Sequence, residues 1–259
     1  MKFLLPKSRA FCICILLSIV LSSCYTKKDI VYFQNAKNFE TIVDTDSFKA
    51  KLKIGDILQI YVSTINPEVT RPYNLVAESG GQGNGQLIDY LIDAEGNIDY
   101  PVLGKIKLLG LTIDEAKNLF KTKFSEGQLL KDPVILIRLQ NFRVTINGAV
   151  NRPGVYNVSG ERVSILEALG LAGDLSIKGR RDNVLVIRDF NGTKTYTRVD
   201  LTNKEVFNSP VFYLTQNDIV YVEPNNSSIS NASGDSRVGT IISITSFILT
   251  TSLIFLTRN

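Results

Sequence analysis

Four groups of residues have types and spacings that bear on chemistry. Cys24 closes the segment Leu21-Ser22-Ser23-Cys24. Small residues just before a cysteine admit a chain to a peptidase that cuts ahead of a thiol already carrying diacylglycerol, so Cys24 is the candidate lipidation site. The covalent lipid, with palmitate among its acyl chains, is the only non-protein group expected; no cofactor and no metal are. Asp89, Asp93, Glu95 and Asp99 form a carboxylate cluster of the composition a glycosidase uses. Asp93 and Asp99 lie six positions apart, which does not by itself bring the two together, and the chain has no histidine to serve as an acid–base partner. The cluster therefore reads as a surface feature, with no catalytic residues and no enzyme activity expected. Ser79 to Gln86, SGGQGNGQ, superficially resembles a phosphate cradle. No Lys-Ser/Thr follows it and no helix is expected there, so it reads as a flexible loop. The last group is a set of hydroxyls near the C-terminus, taken up below.

Two ends of the chain must position these groups relative to a membrane. Lys2, Lys7 and Arg9 precede an apolar run from Ala10 to Leu21. That run is too short for a bilayer span and right for a signal-peptide core, which places residues 1–23 in a signal peptide. Cys12 and Cys14 leave with it, so the mature chain keeps one sulfur and forms no disulfide. Cleavage also removes three basic residues, leaving 26 Lys and Arg against 25 Asp and Glu. A nearly neutral chain argues against nucleic acid as a partner.

At the other end, Val238 to Leu256 is nineteen residues without a charge, flanked by Arg237 and Arg258. As a helix it is about 28 Å long, close to the hydrocarbon thickness of a bilayer, so residues 238–257 are expected to span a membrane. The segment carries Thr240, Ser243, Thr245, Ser246, Thr250, Thr251 and Ser252. Gly239, Ser243, Ser246, Thr250 and Thr257 share one face of the helix, with Ile241, Ile244, Ile248 and Phe255 on the other. Two readings of this stripe stay open: a face on which neighbouring helices pack closely, or a face turned to water in a ring of helices.

Between these ends the sequence reads as α+β. Residues 24–50 are a polar tether and lead-in. Leu52 to Val62 alternates apolar residues at strand period after a Gly-Asp turn. Two short strands follow around Glu95-Gly96-Asn97, then a third. Thr112 with Glu115 makes a capping box for a helix whose Ile113, Ala116, Leu119 and Phe120 recur at helical period. Asp132-Pro133 ends that unit before a strand over Val134 to Leu139. A second unit begins at Phe142, with RVTINGAV and VYNV as a hairpin around Asn151-Arg152-Pro153-Gly154. Ser164 to Leu171 is a short helix stopped by Ala172-Gly173, and NVLVIRD, KTYTRVDL and DIVYVEP are strands. Residues 225–237 are Asn/Ser-rich and read as a linker.

These units resemble the bacterial polysaccharide export proteins, outer-membrane lipoproteins that carry capsule or exopolysaccharide across the envelope. Residues 51–140 resemble the export domain through Gly55-Asp56, Asp93-x-x-Gly96-x-Ile98-x-x-Pro101-x-Leu103-Gly104, Gly110-Leu111-Thr112 and Glu115-Ala116. Residues 141–224 resemble the SLBB-type β-grasp module through Val144-x-Ile146-x-Gly148-Ala149-Val150-x-x-Pro153-Gly154-x-Tyr156, continued by Ser164–Ala168 and Ala172-Gly173. Most of these motif residues have a structural explanation: glycines where a side chain would clash and prolines that fix backbone direction.

The resemblance implies a homo-oligomeric ring in the outer membrane, anchored through lipid, with most of the chain in the periplasm and the C-terminus outside the cell. It implies a pore of C-terminal helices lined by the stripe, a polysaccharide as cargo, and an inner-membrane co-polymerase or tyrosine kinase as partner. The alternative is a monomeric glycan-binding envelope lipoprotein that uses the β-grasp module for recognition. Oligomeric state separates the two.

Overall fold

A computed structural model describes residues 30–38, 49–77, 85–190, 192–226, 228 and 236–257. Cys24 and most of the glycine loop lie outside them. So do the side chains of Ser236, Arg237, Val238, Leu249, Leu253, Phe255, Leu256 and Thr257 within the C-terminal helix.

The first domain is built on a three-stranded antiparallel sheet. Strand β1 (Ile57–Ser63) is central, flanked by β4 (Asp89–Leu91) and β7 (Val134–Leu139). Leu58, Ile60 and Val62 alternate into the core, as the period-2 pattern requires, and Ile135 and Ile137 of β7 join them. Helix α1 (Ile113–Glu126) lays Ala116, Phe120 and Phe124 onto this face, all fully buried. Tyr73 meets Phe124 edge-on at 5.0 Å and Tyr100 meets Phe120 at 4.9 Å, the offset geometry that aromatic quadrupoles favour. The Thr112 hydroxyl accepts from Glu115 N while the Glu115 carboxylate accepts from Thr112 N, the expected capping box.

The strand expected after the Gly55-Asp56 turn begins at Ile57, once Gly55, at φ +84, has turned the chain. A 3₁₀ helix over Pro67–Tyr73, not legible in the sequence, packs beside β1. Strands β2 (Val76–Ala77) and β3 (Gln86–Leu87) pair across the glycine loop. The chain leaves that loop into a strand rather than a helix, which removes the main geometric requirement of a phosphate cradle. The strands expected on either side of Glu95-Gly96-Asn97 do not pair with each other: β4 pairs with β1, and β5 (Asn97–Tyr100) forms a hairpin with β6 (Gly104–Lys107), the further strand, around Pro101–Leu103.

The second domain carries a five-stranded mixed sheet in the order β12-β11-β14-β8-β9. These are β8 (Arg143–Gly148), β9 (Gly154–Asn157), β11 (Gly179–Phe190), β12 (Thr193–Val199) and β14 (Ile219–Pro224), with β14 parallel to β8 and all other pairs antiparallel. A two-stranded ribbon of β10 (Val163–Ser164) and β13 (Tyr213–Leu214) lies beside it. Helix α2 (Ile165–Leu171), capped by Ser164 with Glu167, packs on the face formed by Val144, Ile146, Val184, Val186, Val220 and Val222. At the end of β8, Gly148 has φ +91, and a Cβ there would stand 2.0 Å from the Val222 carbonyl oxygen. Only glycine permits that approach. The chain ends in helix α3 (Ser236–Thr257), 22 residues long.

Candidate functional site

The carboxylates singled out by composition are used separately. The Asp93 Oδ1 accepts from Asn97 N at 2.7 Å. That backbone bond holds the Asp93 carboxyl below the usual carboxylate range. Asp99 stands on β5 directly opposite Lys105. Asp93 closes the turn and Asp99 lies on the hairpin. Among the described residues no three His, Cys, Asp or Glu side chains gather to hold a metal ion.

The polar chemistry of the two domains concentrates instead at their joint. Lys53, 9% exposed, extends from the first domain and donates through Nζ to Thr215 Oγ1 at 2.9 Å and to the carbonyls of Asp189 and Gln216 at 2.9 and 3.1 Å. Burial lowers the Lys53 pKa, with Asp218 opposing that shift. Asn141, between β7 and β8, accepts from Ile57 N and donates to the Gly55 carbonyl. Its own carbonyl accepts from Gln216 Nε2 at 2.6 Å, and Gln216 Oε1 accepts from Arg143 N. Behind this network, Arg188 forks onto the fully buried Asp218 at 2.7–3.2 Å, and Asp218 also accepts from Thr215 N and Oγ1. A cleft of about 480 Å³ opens at the joint between Lys53 and Ile54 on one side and Ile187, Lys194, Asn217 and Ile219 on the other.

Sequence reasoning passed over this joint. The available signals were a lysine inside an otherwise apolar strand approach and the amides at Gln140-Asn141, at the domain border.

The tether region also does more than lead in. Within residues 30–38, Phe33 N donates to the Leu201 carbonyl and Gln34 N to that of Thr202. The Tyr32 hydroxyl donates to Asp174 at 2.5 Å, and Phe33 stacks on Phe207 with centroids 5.2 Å apart. Burial raises the Tyr32 pKa and the Asp174 bond adds to it. The cluster Val31-Tyr32-Phe33 in a polar stretch was the legible sign of this docking.

Gly239, Ser243, Ser246 and Thr250 take their places on α3, and the described side chains from Gly239 to Ile248 are all exposed, as is Thr250. The Thr257 side chain falls outside the description. The Ser243, Ser246 and Thr250 hydroxyls donate to the carbonyls of Gly239, Ile242 and Ser246, each four residues back. Off the stripe, Thr245 and Thr251 do the same toward Ile241 and Phe247. Such back-bonding spends the donor inside the helix and leaves an oxygen acceptor facing outward. The same helix exposes Ile241, Ile242, Ile244, Phe247, Ile248 and Ile254. Among the described residues no helix is long and apolar enough to cross a membrane.

Residues 45–140 match the family described as polysaccharide biosynthesis/export protein, and residues 142–222 match the SLBB domain. The border between the two matches falls at Asn141, the joint residue. The chain is similar to the EPS I polysaccharide export outer membrane protein EpsA of Ralstonia solanacearum, 27% identical over 199 residues that make up 70% of this chain and 51% of that protein. It is similar also to the protein of the same name from Ralstonia nicotianae, 29% identical over 139 residues, 49% of this chain and 35% of that protein. The chain thus spans about half the length, or less, of these curated relatives.

Proposed function

The chain belongs to the polysaccharide export family, with an SLBB domain directly behind its export domain, and on that premise we propose that it is the outer-membrane component of a capsule or exopolysaccharide export machine. Protomers, each lipidated at Cys24, assemble into a closed ring, and their α3 helices gather into a pore for the polymer. The tandem of export and SLBB domains carries this reading. The surface of α3 supports it. A helix that presents Ile241, Ile244, Phe247 and Ile248 together with a row of hydroxyls is poorly suited to stand alone in either water or lipid. In a ring, lipid or neighbouring helices cover the apolar side. The stripe of Gly239, Ser243, Ser246, Thr250 and Thr257 faces the lumen or the next helix. The back-bonded hydroxyls then offer acceptor oxygens to sugar hydroxyls, hydrating the polymer without fixing it in place. An inner-membrane co-polymerase or kinase supplies the polymer in this scheme.

The alternative is a monomeric glycan-binding lipoprotein. It draws on the open face of the SLBB sheet, where Tyr196 and Tyr221 stand exposed beside Leu185 and Ile187. The mass of the full chain in gentle detergent separates the two. A multiple of the 28.7 kDa chain, reduced only by the lost signal peptide, is expected; a single protomer mass ends the conduit reading and leaves the binder.

A further inference from the structure

Residue order puts the lipid anchor next to the export domain, because the chain runs from Cys24 through the tether to Lys49 and Leu52. The docked segment changes that relation. Tyr32, Phe33 and Asn35 do not seat on the export domain that follows them but on the SLBB domain beyond it. Two backbone bonds, Phe33 N to Leu201 O at 3.2 Å and Gln34 N to Thr202 O at 2.7 Å, run along the Leu201–Lys204 turn. Asn35 Nδ2 donates to Asn203 Oδ1 at 2.7 Å, and Asn35 Oδ1 accepts from Lys204 N at 2.8 Å. Tyr32 pins the other end to Asp174 and lies under the Arg181 guanidinium at 6.0 Å. Phe33 stacks on Phe207, which in turn meets Phe212 of the buried core at 5.1 Å. A segment with paired backbone, a side-chain amide clasp and an aromatic inserted beside the core is recognised rather than merely adjacent.

We propose that residues 30–38 are a strap that transfers the lipid anchor from the export domain to the SLBB domain, so that both membrane attachments of the chain leave from one domain. The second attachment, α3, already follows the SLBB domain through the linker after Pro224. The consequence is a matter of reach. Measured from Lys49, Cys24 lies 25 residues away, a contour of roughly 85 Å at about 3.4 Å per residue. Measured from the seated Tyr32 it lies eight residues away, roughly 27 Å. The seat therefore shortens the leash about threefold. A ring whose helices must enter the bilayer together gains from lipids held at that short distance. The strap rests on the reading of Cys24 as the lipid anchor, and its benefit to the ring rests on the proposed entry of α3 into the membrane.

The test uses the full-length, membrane-extracted protein with Asn35→Cys and Asn203→Cys and a short bis-maleimide. In the lipidated chain the only other thiol is Cys24, blocked by its lipid. Cross-linking within one chain, seen as a mobility change at protomer mass, is expected, together with incorporation of labelled palmitate. Adding Phe33→Ser should cut the cross-linked fraction at least tenfold. Tyr32→Phe, which deletes one hydroxyl and opens no cavity, should slow cross-linking severalfold while the melting temperature of the chain holds. A palmitate-labelled chain that does not cross-link, or that cross-links only to a second chain at dimer mass, overturns the strap and leaves the anchor standing. A chain that takes up no palmitate overturns the anchor, and the transfer role with it.

Discussion

Asp56 sits in the turn that opens the export domain, 2% exposed, with Oδ2 accepting from Lys53 N at 2.8 Å and Oδ1 without a partner. Burial pushes its pKa up to about 6, against the opposing pull of the Lys53 backbone bond and ammonium charge. The sign follows directly. Below pH ~4 the group is protonated in both folded and unfolded chains and costs nothing. As the pH rises from about 4 to about 6 the unfolded chain ionises first, so stability falls, and it levels off above that range. A shift of about two pH units is on the order of 3 kcal/mol. Urea titrations across pH 4–7 are expected to show this decline in the wild-type chain and to lose most of it in Asp56→Asn, which keeps an acceptor for Lys53 N. The Arg188–Asp218 pair has the opposite character: both charges are matched and hydrogen-bonded, and Asp218 is fully buried. Removing one partner strands the other, so Asp218→Ala should cost about 3–5 kcal/mol in equilibrium unfolding. The larger observable effect should fall on the joint, because Thr215, the Lys53 acceptor, is itself held by Asp218.

At the scale of elements, the parallel pairing of β8 with β14 is the most exacting feature of the SLBB sheet. It brings Gly148 against Val222, closely enough that the Val222 carbonyl occupies the place of a side chain. Gly148→Ala should disturb this pairing and cost more than about 2 kcal/mol, measured by chemical denaturation. Loss of amide-exchange protection is expected at Ala149, whose N–H bonds the Val222 carbonyl. The elements most faithfully readable from sequence were those with local causes. The helix from Thr112 was announced by its capping box and by Ala116 and Phe120 at helical spacing. The strand Val134–Leu139 was announced by the Asp-Pro before it. The 3₁₀ helix at Pro67–Tyr73 was not, because its packing beside β1 holds it rather than any periodicity of its own.

For the whole molecule, the proposed transport role turns on what α3 does in company. Ser243→Leu combined with Ser246→Leu replaces two acceptors of the stripe with bulk and leaves Cys24 untouched. Surface polysaccharide should fall sharply in cells carrying the double variant while labelled palmitate is still incorporated. Unchanged polysaccharide would remove the stripe from the function. Both the pore reading and the helix-packing reading predict impairment. They part in oligomer mass, which a packing defect lowers and a lumen defect leaves alone.

The sequence by itself determined the strands with period-2 burial, the Thr112 capping box, the glycine stop at Gly173 and the position of the C-terminal helix. Each of these follows from patterns a few residues long, where spacing alone decides which face is buried or which N–H is capped. Only the tertiary structure decided that Lys53 reaches across to Thr215 and Gln216, that Asn141 closes on Gly55, and that Tyr32 and Phe33 dock on Asp174, Leu201 and Phe207. These contacts join residues 86 to 174 positions apart. Nothing local to either partner specifies the other, and the match exists only once both domains have folded and brought their surfaces together.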